Sequence, residues 1–129
     1  MAAAIAAAVF AGACQRSEPI QNVENRPITG VTRPLTAEQV ERAIAAAGVR
    51  RGWVFTRVEP GLLRGTHADQ GHTLILDVPF TASTYSVRVN SSVRLREGDG
   101  TIHRTANRWI RNLQQDIDAE LARASLASS

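Results

Sequence analysis

Two imidazoles and one carboxylate fall within a single turn-like segment, His67-Ala68-Asp69-Gln70-Gly71-His72. Imidazole nitrogen and carboxylate oxygen are ligands that Zn²⁺ and Cu²⁺ accept. The alternating pattern of the flanking strands predicts, however, that His67 and His72 point to opposite faces of a hairpin, which favours ordinary polar turn residues. A metal-binding protein or metal-dependent enzyme that uses His67, Asp69 and His72 is therefore kept as the alternative function. The preferred interpretation has no metal and no cofactor.

The remaining candidate for a general base is His103, which is close in sequence to Asp99 and Asn107. No Ser or Cys stands at a position that would identify it as a nucleophile activated by His103. The alternative is that His103 is a solvent-exposed histidine at the start of a helix. No GxGxxG or GxxxxGK run occurs, so these phosphate-binding loops are excluded. The sequence thus predicts no catalytic residues, a protein that is not an enzyme, and no identified small-molecule substrate.

The single cysteine, Cys14, follows an uncharged apolar run over residues 2–11 and the small residues Gly12 and Ala13. The run matches the apolar core of a secretory signal, roughly 7–15 residues, and is shorter than the about 20 residues that span a bilayer. Residues 1–13 are therefore predicted to be a signal peptide that is removed. A signal usually opens with a basic residue, whereas the first charge here is Arg16, which leaves open that the true start lies upstream or that targeting is weaker. Because the segment is rich in alanine, an N-terminal helix with a buried, inert cysteine is the alternative.

Small residues followed by one cysteine resemble the lipobox of bacterial lipoproteins. This resemblance implies that the Cys14 thiol is lipidated, with palmitate among the acyl chains, and that Cys14 becomes the first residue of the mature chain. Gln15 rather than Asp after the cysteine implies sorting to the outer membrane. We therefore expect a chain anchored at the periplasmic face of the outer membrane, with the membrane as partner through the lipid on Cys14.

The segment after the cysteine is polar and contains three prolines, which predicts a flexible tether over residues 14–34. An alternative for the second half of this tether is that it lies on the domain as an edge segment, because it contains the apolar residues Val23, Ile28 and Val31. A single domain is predicted over residues 35–124, followed by a disordered tail over residues 125–129.

Two helices bracket this domain. Thr36 and Gln39 have the spacing of a capping box, which predicts a helix from about residue 37 to residue 47. Apolar residues at three- and four-residue spacing predict a longer helix from about residue 102 to residue 124. Trp53 and Trp109 both fall on predicted core faces, although stacking on a sugar or peptide is the alternative role for them.

Four strand-like runs joined by short turns lie between the helices, at residues 53–58, 62–67, 72–78 and 84–89. With tight turns, one face of the sheet is apolar and forms the core. That face carries Trp53, Phe55, Leu62, Leu74, Leu76, Val78, Tyr85, Val87 and Val89. The opposite face carries four apolar residues that could bind a partner: Val54, Val58, Leu63 and Ile75. The predicted fold is an α+β two-layer sandwich, with a four-stranded antiparallel meander and both helices on one face.

The charge pattern argues against nucleic-acid binding. All basic residues are arginine, and the fifteen of them against twelve acidic residues give a net charge of only +3. They are interleaved with acidic residues, so no stripe that would follow a phosphate backbone appears.

The phrases RGWVFTRVEPGLLRGT, GHTLILDVPF, YSVRV and IHRTANRWIRNL resemble a family of small uncharacterised proteobacterial lipoproteins. This resemblance supports the location and a compact domain, and implies no activity. The sequence therefore predicts a lipid-anchored envelope lipoprotein whose domain is a non-catalytic binding or accessory module facing the periplasm. Its expected partner is a periplasmic protein or envelope component, bound through the open face of the sheet.

Overall fold

A computed structural model describes residues 16–127 of the chain. The elements, in chain order, are β1 (Ser17–Pro19), β2 (Val23–Pro27), α1 (Ala37–Val49), β3 (Val54–Glu59), β4 (Leu62–Asp69), β5 (His72–Pro79), β6 (Thr84–Val93), β7 (Thr101–His103) and α2 (Arg104–Ala127). The first helix begins where the capping box predicted it. Thr36 accepts a hydrogen bond from the Gln39 backbone nitrogen, and the Gln39 side chain accepts one from the Thr36 nitrogen.

The principal sheet is antiparallel and has five strands in the order β2-β6-β5-β4-β3, while β1 pairs only with β7 in a second, two-stranded sheet. The predicted class, α+β with two helices and an antiparallel sheet, is confirmed. The four predicted strands correspond to β3 through β6. The four-stranded prediction does not include β2, which pairs with β6 and adds a fifth strand at that edge.

One apolar core joins the two helices to a single face of the sheet. Leu74, Leu76 and Val78 of β5 are fully buried, while the residues between them are partly exposed. Helix α2 covers this face at Tyr85, whose hydroxyl donates to the Asp118 carboxylate at 2.6 Å. Helix α1 lies close to the sheet at Gly48, where an added Cβ would be 2.5 Å from the Phe55 ring.

The predicted flexible tether is contradicted by the structure over the described part of residues 14–34. Its backbone forms β1 and β2, and its side chains contact helix α2. Near the start of the segment the Arg104 nitrogen donates to the Arg16 carbonyl at 2.9 Å. Further along, the Arg26 guanidinium binds Asp118 at 2.8 Å. The segment is therefore part of the domain, and β2 is the edge segment that the apolar residues left open.

The predicted disordered tail is also wrong for its described part. Helix α2 continues to Ala127, and Ser125 within it is 1% exposed. The Ser125 hydroxyl donates to the Ala122 carbonyl and accepts from the Thr32 nitrogen at 2.9 Å. The N-terminal segment therefore holds this end of the helix against the domain.

The predicted register of the first hairpin is wrong, because the ladder between β3 and β4 is irregular beside its turn. Glu59 pairs with Leu62, but Arg57 and not Val58 pairs with Leu63. The extra residue, Val58, reverses the facing of the remaining pairs. Leu63 is consequently buried in the core, 3% exposed and opposite Val78, instead of lying on the open face. Leu62, predicted in the core, is partly exposed.

The predicted signal peptide and Cys14 lie outside the described residues. Among the helices of residues 16–127, neither is both long and apolar enough to span a lipid bilayer.

Candidate ligand-binding cleft

The open face of the sheet holds three of the four predicted partner residues, and they are not contiguous. Val54 pairs with Thr66, which pairs with Ile75, so Val54 and Ile75 lie in one row across the strands. A charged row comes next and separates this pair from Val58. It consists of Thr56, Arg64, Asp77 and Arg88. The predicted apolar patch is therefore divided, and Leu63 is absent from it.

The charges in this row are already paired. Arg64 donates to Asp77 at 2.8 Å, and Arg88 binds Glu24 of β2 at the same distance. Partial burial acts to raise the pKa of Asp77, but hydrogen bonds from Arg64 and Asn90 outweigh it and hold that pKa below its usual value. Exposed pairs of this kind contribute under about 1 kcal/mol each. They give the open face a polar, charge-compensated surface.

The changed register also moves the predicted metal-ligand residues. His67 pairs with Leu74 and Asp69 pairs with His72, so His67 and His72 share the core-side face, contrary to the prediction. His72 and Asp69 meet only through a contact of 3.3 Å between Nδ1 and the Asp69 carbonyl oxygen. Within residues 16–127, no three His, Cys, Asp or Glu side chains are grouped so that they could hold a metal ion.

Instead of facing a metal, the His67 imidazole lies between the two indoles of the chain. Its ring centroid is 5.1 Å from that of Trp53, and 4.5 Å from that of Trp109, which it meets edge-on. Its Nδ1 atom is buried, next to Gly52, and has no hydrogen-bond partner in the described part of the chain. Aromatic packing, and not a polar network, therefore fixes the orientation of this imidazole.

These three rings form one wall of a cavity of about 240 Å³, which we call the tryptophan cleft. Its lining residues are Arg51, Trp53, His67, Arg108, Trp109 and Asn112. Arg51 is held by Asp116 at 2.7 Å, whereas no carboxylate among residues 16–127 forms an ion pair with Arg108. The cleft thus combines flat apolar surface with one uncompensated guanidinium and one amide.

A second cavity of about 260 Å³ adjoins the cleft, because Arg108 and Trp109 line both. It contains His72 and His103. The His103 Nδ1 accepts a hydrogen bond from the Thr105 nitrogen at 3.1 Å and so caps the first turn of α2. Burial lowers the pKa of His103, and nearby positive charges lower it further. These charges belong to Arg96, Arg104, His72 and Arg16.

A larger cavity of about 410 Å³ lies between the two helices and offers fewer groups that could bind a ligand. Much of its lining is alanine, and its carboxylate, Glu120, is already bound by Arg123 at 3.1 Å. Convergent polar groups beside apolar surface are typical of ligand sites, and they occur together in the tryptophan cleft.

Sequence reasoning placed both tryptophans in the core and so missed the cleft. Trp53 is indeed buried, 4% exposed, but Trp109 is only partly buried and reaches the surface. The approach of Arg51 to Arg108 joins distant parts of the chain, and no local pattern signals it. The one available signal was Trp109 following Arg108 at the margin of an apolar stripe.

No protein-family model, curated protein sequence or solved structure matches this chain. The resemblance to small proteobacterial lipoproteins therefore stays a prediction.

Proposed function

We propose that this chain is a lipid-anchored lipoprotein of the outer membrane whose domain faces the periplasm and binds an envelope component. The sequence from the apolar run to Cys14 supports the anchor. The domain supports binding, because it presents a cleft with aromatic walls and an uncompensated cation. The tryptophan cleft replaces the open sheet face as the proposed binding site.

The observation that carries this proposal is the position of Arg108 beside the indole of Trp109 in the tryptophan cleft. An indole face packs against the apolar face of a sugar or another ring, and a guanidinium forms charge-assisted hydrogen bonds with a carboxylate. Asn112 adds a side-chain amide that can donate to and accept from hydroxyl and acetamido groups. The cleft therefore suits a ring-shaped ligand with one carboxylate, such as an acidic sugar of the cell wall.

Intrinsic fluorescence tests the ligand, since both tryptophans of the chain line the cleft. N-acetylmuramic acid and N-acetylglucosamine are a matched pair of probes, because only the first carries a carboxylate. We expect N-acetylmuramic acid to change the fluorescence of the full chain saturably, and N-acetylglucosamine to bind about tenfold or more weakly.

Arg108→Gln should remove this preference for the acidic sugar. Arg42→Gln, which changes a residue lining the cavity between the helices, is the matched control and should retain it. Equal binding of both sugars, or an unchanged preference in Arg108→Gln, would contradict the proposed site.

Incorporation of labelled palmitate tests the anchor independently of the cleft. The wild type should be labelled and sediment with outer membranes, whereas Cys14→Ala should be unlabelled and released. Unlabelled wild-type protein in the soluble fraction would contradict the proposed location and leave the cleft result unaffected.

A further inference from the structure

Ion pairing is distributed unevenly among the arginines. Seven of them, spread over β2, the turn after α1, β3, β4, β6 and α2, lie within ion-pair distance of a carboxylate. Four others have no such partner in residues 16–127 and lie around the N-terminal end of α2. They are Arg16, Arg94, Arg96 and Arg104, and we call them the basic face.

Contacts of the backbone and side chains bring these four residues together. The Arg104 nitrogen donates to the Arg16 carbonyl at 2.9 Å, and the His103 nitrogen donates to the Leu95 carbonyl at 2.7 Å. Arg94 lies over the turn between β4 and β5, with its Nη1 3.1 Å from where a Cβ on Gly71 would be. The N-terminal segment, the β6–β7 connection, the β4–β5 turn and α2 therefore meet at this face.

The backbone holds two of these arginines in an uncommon conformation. Arg94 and Arg96 have φ angles of 60° and 55°, in the left-handed region that non-glycine residues rarely adopt. Leu95 between them is 1% exposed and anchors the segment in the core. Arg94 and Arg96, on either side of this buried leucine, both have exposed side chains. Such a conformation persists only where surrounding packing enforces it.

The charge around this face is positive. Burial lowers the pKa of His103, which lies in its midst, and the guanidinium groups of Arg96, Arg104 and Arg16 lower that pKa further. Two of the nearby acidic side chains are engaged elsewhere, since Glu97 accepts from the Ser92 hydroxyl at 2.7 Å and Glu18 accepts from the Asn107 amide at 3.0 Å. Asp69 lines the same cavity as His103, and Asp99 lies in the turn before β7, so the four arginines of the basic face outnumber these two carboxylates.

We propose that the basic face docks on anionic phospholipid headgroups, so that the domain lies with this end of α2 against the membrane that holds its lipid. This inference rests on the lipid anchor of the proposed function. Only Gln15 separates Cys14 from Arg16, and two residues of extended chain span about 7 Å at most. A lipid on Cys14 therefore brings the basic face within reach of headgroup phosphates, which guanidinium groups bind well.

Vesicle flotation of the full chain carrying Cys14→Ser tests this docking without the lipid. The protein should float with vesicles that contain phosphatidylglycerol, much less with phosphatidylcholine alone, and the difference should disappear at high salt. Adding Arg96→Gln and Arg104→Gln should weaken binding to the anionic vesicles about thirtyfold. Adding Arg42→Gln and Arg57→Gln instead, an equal loss of charge on α1 and β3, should leave it unchanged.

All of these proteins share the same N-terminal residues, so any contribution of those residues cancels in the comparison. Circular dichroism confirms that each variant is folded. Equal flotation with both kinds of vesicle, or equal losses in the two double variants, would overturn the basic face as a docking surface. Palmitate labelling without anionic preference would overturn this inference alone. Anionic preference without labelling would sustain the docking surface and overturn only the anchor.

Discussion

The side-chain amide of Asn107 in α2 donates to the carbonyl oxygen of Pro19 in β1 at 2.9 Å. Its oxygen accepts from the Gln21 nitrogen at 3.0 Å, and Asn107 itself is fully buried. One buried amide therefore satisfies two backbone groups of the N-terminal segment. An unpaired buried group costs about 1–3 kcal/mol, so this contact is a principal reason that the segment stays on the domain.

Replacing this amide should release the segment. Asn107→Ala should lower the free energy of unfolding by about 1–3 kcal/mol and speed hydrogen exchange at the Gln21 amide. Gln115→Ala, at an exposed position of the same helix, is the matched control and should change neither. Exchange of the Gln21 amide at the wild-type rate in Asn107→Ala would show that other contacts hold the segment.

The corrected position of Leu63 predicts different costs for two residues that the sequence placed together. Leu63→Ala should lower the free energy of unfolding by about 2–5 kcal/mol, because it leaves a cavity opposite Val78. Val54→Ala should change it by less than about 0.5 kcal/mol, since Val54 is 66% exposed. Urea denaturation measures both, and similar values for the two variants would contradict the buried position of Leu63 opposite Val78.

Close packing at Gly48 should reverse the usual effect of a helix substitution. Gly→Ala within a helix ordinarily stabilises by up to about 1 kcal/mol. In Gly48→Ala, however, the added methyl would meet the Phe55 ring at 2.5 Å and Trp53 Cβ at 2.8 Å, so we expect a net loss of about 1–3 kcal/mol. Ala46→Gly, at an exposed position of α1, should show the ordinary cost of about 1 kcal/mol. A more stable Gly48→Ala protein would contradict the described contact.

The cap on α2 should make stability depend on pH. The pKa of His103 is lower in the folded chain than in the unfolded chain, so the unfolded state binds more protons as pH falls below about 6.5. The associated stability is present above that pH and is lost as pH falls through the folded pKa. His103→Asn keeps a capping acceptor but does not titrate, so its unfolding free energy should vary less between pH 7.5 and pH 5, about the range in which histidine titrates. An identical pH profile in the two proteins would contradict this role.

The features that the sequence predicted are those set by neighbouring residues. Thr36 and Gln39 cap α1 through contacts three residues apart, and alternation along β5 identified its buried side chains. The bulge at Val58 was not predicted, because Glu59 to Leu62 satisfies a tight-turn pattern whether or not an extra residue precedes the turn. That residue sets how β3 aligns with Leu63 and His67 of β4, and the β4–β5 ladder, which begins at Asp69 and His72, places both of them on the face of Leu74 and Val78.

The proposed sites were less predictable, because they depend on contacts between distant residues. The tryptophans were assigned to the core from their apolar faces, which identified Trp53 correctly but not the partial exposure of Trp109. The basic face contains arginines from three separate stretches of the chain. Its charge could not be distinguished in sequence from that of the ion-paired arginines, since pairing is decided by the fold.

Residues 16–32 follow α2 from its first turn to its last, through side-chain hydrogen bonds between residues 86 to 93 positions apart. These contacts can form only once α2, the last described element of the chain, has formed. As free coil, the twenty residues from Gln15 to Pro34 would span roughly 25 Å. Once docked, only the residues preceding Arg16 separate the domain from a lipid on Cys14. With the proposed lipid on Cys14, completion of folding would therefore draw the domain in to the bilayer surface, and its height above the membrane would depend on whether its final helix is in place.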